Sequence, residues 1–115
     1  MAGLWERVKP DGTERINIHL IVAGLRGYFV NTVDSGKGAT QGQVLSAINS
    51  QLTASGYSAL DAAEQTDLSD IAAELDLQST NTAKLIYLCN LEYVMIAAEV
   101  GEVAEAKWRN DLGIV

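Results

Sequence analysis

Residues 82–100 read TAKLIYLCNLEYVMIAAEV, and this stretch constrains the fold more than any other. On a helical wheel from Asn81 to Val100 its polar face shrinks to a narrow strip of Lys84, Glu92 and Glu99. Such a helix needs cover on nearly every side. Lys84, Asn90 and Glu92 interrupt it too often for a good membrane span, which asks for about 20 predominantly apolar residues. Its cover must therefore come from other helices, of the same chain or of a neighbour.

The chain has 115 residues, 48% of them apolar, and one proline, enough for one modest core and no second domain. We expect an all-α fold: a single small domain, residues 1–115, of about five helices around the long apolar helix near residues 81–100. Residues 1–12 are expected to form an extended N-terminal arm ending in the turn KPDGTER. The first long helix is expected from about Glu14 to Val30, with Ile18, Ile21, Val22, Leu25, Tyr28 and Phe29 on one face. NTVDSGKGAT reads as a connecting loop. Thr40 then opens a helix through a capping box with Gln43; Val44, Leu45, Ile48 and Leu52 form its buried stripe and Gly56 its left-handed cap. Between Ser58 and Leu77, one unbroken helix would put Glu64 inside the stripe of Leu60, Leu68, Ile71 and Leu75, so a break with a new cap at Thr66 is expected. Gly101 ends the apolar helix, and EVAEAKWRNDLGIV forms a short last one, capped by Gly113 with Ile114 folding back.

Charge narrows the partners. Residues 1–50 carry five bases and four acids, whereas residues 51–115 carry three bases and eleven acids, within a net charge of −7. A broad nucleic-acid surface needs clustered Lys and Arg, so no nucleic-acid partner is expected, and no membrane partner either. A single cysteine, Cys89, rules out an internal disulfide and reads as a small core residue. MAGLWERVKPDGTE lacks a signal-peptide core, so a cytoplasmic setting is expected. No cofactor is expected.

The motifs that invite chemistry are weak. The GK of the loop lacks the earlier glycine and following hydroxyl of a phosphate loop, since Asn31 and Gly38 occupy those places. His19 is the only histidine and reads as a partly exposed structural residue beside Arg15 and Arg26. Glu99, Glu102 and Glu105 recur at spacing three, and EVGEVAEA is similar to the first metal-binding half of nucleoside triphosphate pyrophosphohydrolases of the MazG type. That resemblance implies a Mg²⁺-dependent enzyme with a second acidic pair on a following helix. Only ten residues follow Glu105, with Asp111 their one carboxylate side chain, so the pair would have to be Asp67 and Asp70 in reversed order. Solvated acids, with Glu105 paired to Arg109, are the simpler expectation. Asp67, Asp70 and Glu74 also suggest an acidic edge for binding a basic protein, as in a small intracellular regulator.

Several residues point to assembly. Asn90 falls among residues expected to be buried, where its amide could fix register between helices or subunits. Ala23, Gly24 and Gly27, with Leu20 beside them, would let another helix approach closely. Trp5 and Trp108 are placed to anchor the two ends on the core or on a partner. The opening LWERVKPDGTERINIHLIVAGL and the close EAKWRNDLGI resemble the ends of small helical proteins of tailed-bacteriophage particles. That resemblance implies a non-enzymatic virion component, assembled in the host cytoplasm and acting in many copies: a capsid decoration protein, a head-to-tail connector or a tail protein. The expected function is structural, through self-association or binding of other virion proteins, with interface candidates Trp5, Leu20, Gly24, Gly27, Asn90 and Trp108.

Overall fold

The computed structural model describes residues 3–11, 16–33 and 41–114, and the secondary structure among them is entirely helical. The elements are α1 (Leu4–Val8), α2 (Ile18–Val33), α3 (Gln41–Ala54), α4 (Ala62–Leu77), α5 (Asn81–Glu99) and α6 (Glu105–Asp111). They share one core, in which α2 packs on α3 and α5, and α5 also meets α1, α4 and α6. The molecule measures 40 × 29 × 20 Å, so it is about two helix diameters thick. Its radius of gyration, 13.4 Å, is that of a compact domain of this length.

Local chemistry sets most helix ends. Asn17 accepts a hydrogen bond from the His19 amide through its side chain at 2.9 Å, as a capping residue does, and α2 begins at Ile18. Ile18, Ile21, Val22, Leu25 and Tyr28 are buried, as the wheel requires. The helix runs on to Val33, so residues 31–33 are not loop. Residues 12–15 and 34–40, including Glu14, Arg15, the GK pair and the expected Thr40 cap, lie outside the described residues, as does the Phe29 side chain. Thr80 caps α5 by accepting from the Ala83 amide at 3.0 Å. At Gly56 and Gly113 the backbone turns left-handed, with φ of 87° and 75°, closing α3 and α6 as expected. Tyr57 and Ile114 then donate back into the last turns at 2.9 and 2.8 Å.

Two expectations fail at the N-terminal end, and for a linked reason. Residues 4–8 are not part of an extended arm but a helix, with Leu4, Arg7 and Val8 buried. Nor is there a break at Thr66. Its hydroxyl donates to the Ala62 carbonyl at 3.0 Å inside the unbroken α4. That helix starts instead at a capping box: Asp61 accepts from the Glu64 amide at 2.8 Å, and the Asp61 amide donates to Glu64 Oε1 at 2.9 Å. Glu64 is only 2% exposed. It is tolerated in the apolar stripe because Arg7 of α1 reaches Oε1 at 3.2 Å and also donates to the Ser58 carbonyl at 3.1 Å. Oε2 has no partner among the described residues, and burial pushes the Glu64 carboxyl above its ordinary range.

Candidate interaction face

α5 runs from Asn81 to Glu99, one residue short of the expected range, and its surroundings are not those expected. One side of α5 carries Leu88, Leu91, Val94, Met95 and Ala98 into the core. The opposite side is also apolar and lies in water. Leu85 is 52% exposed, Ile86 55%, Tyr93 71%, Ile96 42% and Val100 61%, and Cys89 is exposed among them. At 100° per residue these six fall within an arc of about 100° that contains no charged side chain. They leave roughly 500 Å² of apolar surface in one patch, within the range of the largest patches on monomeric proteins, which are often functional. The outer side of α4 differs: it carries Gln65, Thr66, Asp70 and Asp76, with Leu77 exposed at its end.

Glu92 edges this face. It accepts from Arg26 of α2 at 2.9 Å and lies 3.9 Å from His19 Nδ1. His19 is thus an exposed residue on the Arg26 side of α2. Asn90 lies on the other edge and is exposed, so it is not the buried amide expected of it. Its place on the wheel is the expected one, but the amide itself is exposed there. Cys89 is corrected for the same reason.

Of the remaining candidates, Trp5, Trp108 and Gly24 are used inside the chain. Trp108 is fully buried and Trp5 half-buried, with ring centroids 5.6 Å apart at 57°, so they pack the two ends of the chain against each other. A Cβ at Gly24 would lie 2.5 Å from Ile48 Cγ1, so the small residue serves the close crossing of α2 on α3. Leu20, Ala23, Gly24, Ala47 and Ile48 line a shallow groove there. Gly27 is exposed, and a Cβ added to it would meet nothing within 4 Å.

The acids that the metal-site alternative would join are not gathered together among the described residues. Asp67 is buried: Oδ2 accepts from the Leu4 amide at 2.8 Å, and Oδ1 lies 3.5 Å from Arg109 Nη1. The Glu74 side chain lies against Gly113, while Asp70 is exposed. Among the described residues no group of three or more His, Cys, Asp or Glu side chains is placed to hold a metal ion. Glu99 and Glu102 are therefore not joined with Asp67 and Asp70 in a metal site. Two of the three acids of the expected basic-protein edge are turned toward the chain's own ends.

No helix among the described residues is long and apolar enough to cross a membrane. Comparison with known proteins finds no matching family model, curated protein or solved structure. The functional reading therefore rests on the chain itself.

Sequence reasoning misses the outer face because it treats every apolar position of this helix as core. The spacing does not tell the two sides apart: from Thr82 to Val100 the outer positions advance 18 residues in five steps, the ordinary helical period, and Leu88, Leu91, Met95 and Ala98 of the buried side advance by three, four and three.

Proposed function

We propose that this chain is a non-enzymatic assembly protein whose working surface is the outer face of α5, through which copies associate. The observation that carries the reading is the exposure of Leu85, Ile86, Tyr93, Ile96 and Val100 on one side of a helix whose other side is fully used by the core. Burying such a patch gains about 25 cal/mol per Å², which must exceed the roughly 4–15 kcal/mol that association costs.

A place in a tailed-bacteriophage particle, as decoration, connector or tail component, is part of the same proposal. It draws support from the way the two resembling segments are used. The opening and closing stretches pack against each other through Trp5 and Trp108, and both are fastened to α4, by Leu4 and by Arg109. They form one structural unit, so the two resembling segments stand together in the fold.

Light scattering across a concentration series tests the reading on wild type and on Ile86→Glu/Ile96→Glu. A mass above that of the 12.3 kDa chain, returning to the monomer value in the variant, supports it. A wild type that stays monomeric at every concentration overturns it.

A further inference from the structure

The outer face of α5 is one half of a surface whose other half lies on α2. The two helices pack side by side and send their buried residues into the same core, so their outer sides look the same way. On α5 that side is a ridge of large apolar residues. On α2, opposite the buried Ile18, Ile21 and Leu25, it is a trough of half-buried Leu20 and exposed Ala23 and Gly27, beside the groove shared with α3. Arg26 and Glu92, 2.9 Å apart, mark the border between ridge and trough. Resting on the association proposed above, we infer that the ridge of one copy docks on the trough of a second copy, in a two-fold dimer whose axis runs along the Arg26–Glu92 border.

Symmetry and charge select this arrangement. A two-fold axis lying in the interface and along the helices exchanges the two sides of the border, so each ridge covers the other copy's trough and both contacts form at once. The ridge alone exposes roughly 500 Å², and the trough of the same chain adds to it toward the ~800 Å² per partner of a standard interface. The same exchange swaps the charges across the border and keeps their level along the axis. Arg26 of each copy then faces Glu92 of the other, while the pair within each chain is kept, so the four charges alternate in sign. Among the described residues Arg26 spends one of its five N–H donors on Glu92 and has others to give. An axis across the helices at that level would instead set ridge on ridge, Arg26 over Arg26 and Glu92 over Glu92. Such exposed pairs add little affinity, and their effect is to choose the orientation.

Gly27 is the independent sign of a partner. Glycine inside a helix weakens it relative to alanine, and among the described residues a Cβ at this position would meet nothing within 4 Å, so packing within the chain gives no reason for it. Tyr93 is 71% exposed and follows Glu92 as Gly27 follows Arg26. In the two-fold dimer its ring comes to lie over Gly27 of the other copy, where the bare backbone permits close approach.

Two measurements test the arrangement. Gly27→Leu should melt no lower than wild type in dilute, monomeric solution, because leucine is the better helix former and has room, yet it should raise the dimer dissociation constant at least about tenfold. A variant that associates as wild type does overturns the arrangement. For the second, two Cys89→Ser chains, one with Gly27→Cys and one with Tyr93→Cys, are oxidised with diamide, which takes up the two electrons and two protons released as two thiols close a disulfide. Mixed, they should give a covalent heterodimer of the summed mass. Alone, neither should crosslink, because like positions sit on opposite sides of the axis, about one helix spacing of 8–10 Å apart sideways, and a disulfide spans Cα atoms only to about 7 Å. Crosslinking of the Tyr93→Cys chain to itself, or no heterodimer, in a protein that light scattering shows to be a dimer overturns this arrangement and leaves the association standing. A wild type that is monomeric at every concentration overturns both.

Discussion

Replacing Arg7 by alanine should destabilise this domain more than any surface change, and by an amount that depends on pH. Arg7 and Glu64 are both buried and meet at 3.2 Å. Removing the cation leaves Glu64 with the Asp61 amide on Oε1 and no partner among the described residues on Oε2. Breaking a buried pair by deleting one member costs about 3–5 kcal/mol, and protonation of the glutamate offers partial relief, so we expect about 3 kcal/mol near neutral pH. Burial raises the Glu64 carboxyl above its ordinary 4.5. A group raised in the folded state contributes its full stability below the unfolded value and loses it as pH climbs through the folded one. Without Arg7 the folded value moves up further, so the deficit should widen as pH rises from about 5 to about 7. Urea unfolding followed by circular dichroism reads this directly. At an m-value of about 1.5 kcal/mol/M, the midpoint should fall by about 2 M near pH 7 and by clearly less near pH 5. Adding Glu64→Gln should recover more than half of the loss, since glutamine keeps the capping box without the charge. A midpoint shift under about 0.5 M near pH 7, or equal shifts at the two pH values, would falsify the account.

Other consequences are separable. Gly27→Ala should stabilise α2 by up to about 1 kcal/mol, because alanine is the better helix former and space is free there. Gly24→Ala meets Ile48 and should come out at least about 1 kcal/mol worse than Gly27→Ala; equal thermal melts would mean the α2–α3 crossing is looser than described. Trp108→Ala should cost about 3–5 kcal/mol in denaturant unfolding, and Trp5→Ala, at a half-buried ring, distinctly less. Association through the outer face of α5 should tighten as salt rises, because screening relieves repulsion between acidic chains; weakening by salt, measured by sedimentation, would point to an interface held by ion pairs.

What the sequence discloses follows from the range of the interactions. The extent of α5 and the closures at Gly56 and Gly113 depend on a few neighbouring residues, and local patterning finds them. Glu64 shows the limit. A wheel sees an acid within an apolar stripe and breaks the helix, whereas the residue that accommodates it lies 57 positions away, in a segment whose composition reads as an arm. Asp67 misleads in the same way, since an acid near the start of a helix looks solvated until the Leu4 amide from 63 positions away claims it. The α5 face is hidden for a different reason. Apolar composition says that a surface avoids water, not which molecule supplies the cover. In a domain only 20 Å thick, one helix cannot be sheltered on both sides by its own chain.

The fastening of α1 and α6 to α4 has a mechanical consequence. Leu4 and Arg109 both end on Asp67, and the Trp5 and Trp108 rings touch. Tension applied between the two ends therefore crosses the molecule by a short path through α1, α4, α5 and α6, and α3 lies outside it. A chain strung between neighbours by its ends would load α3 only after the contacts of α1 and α6 had torn.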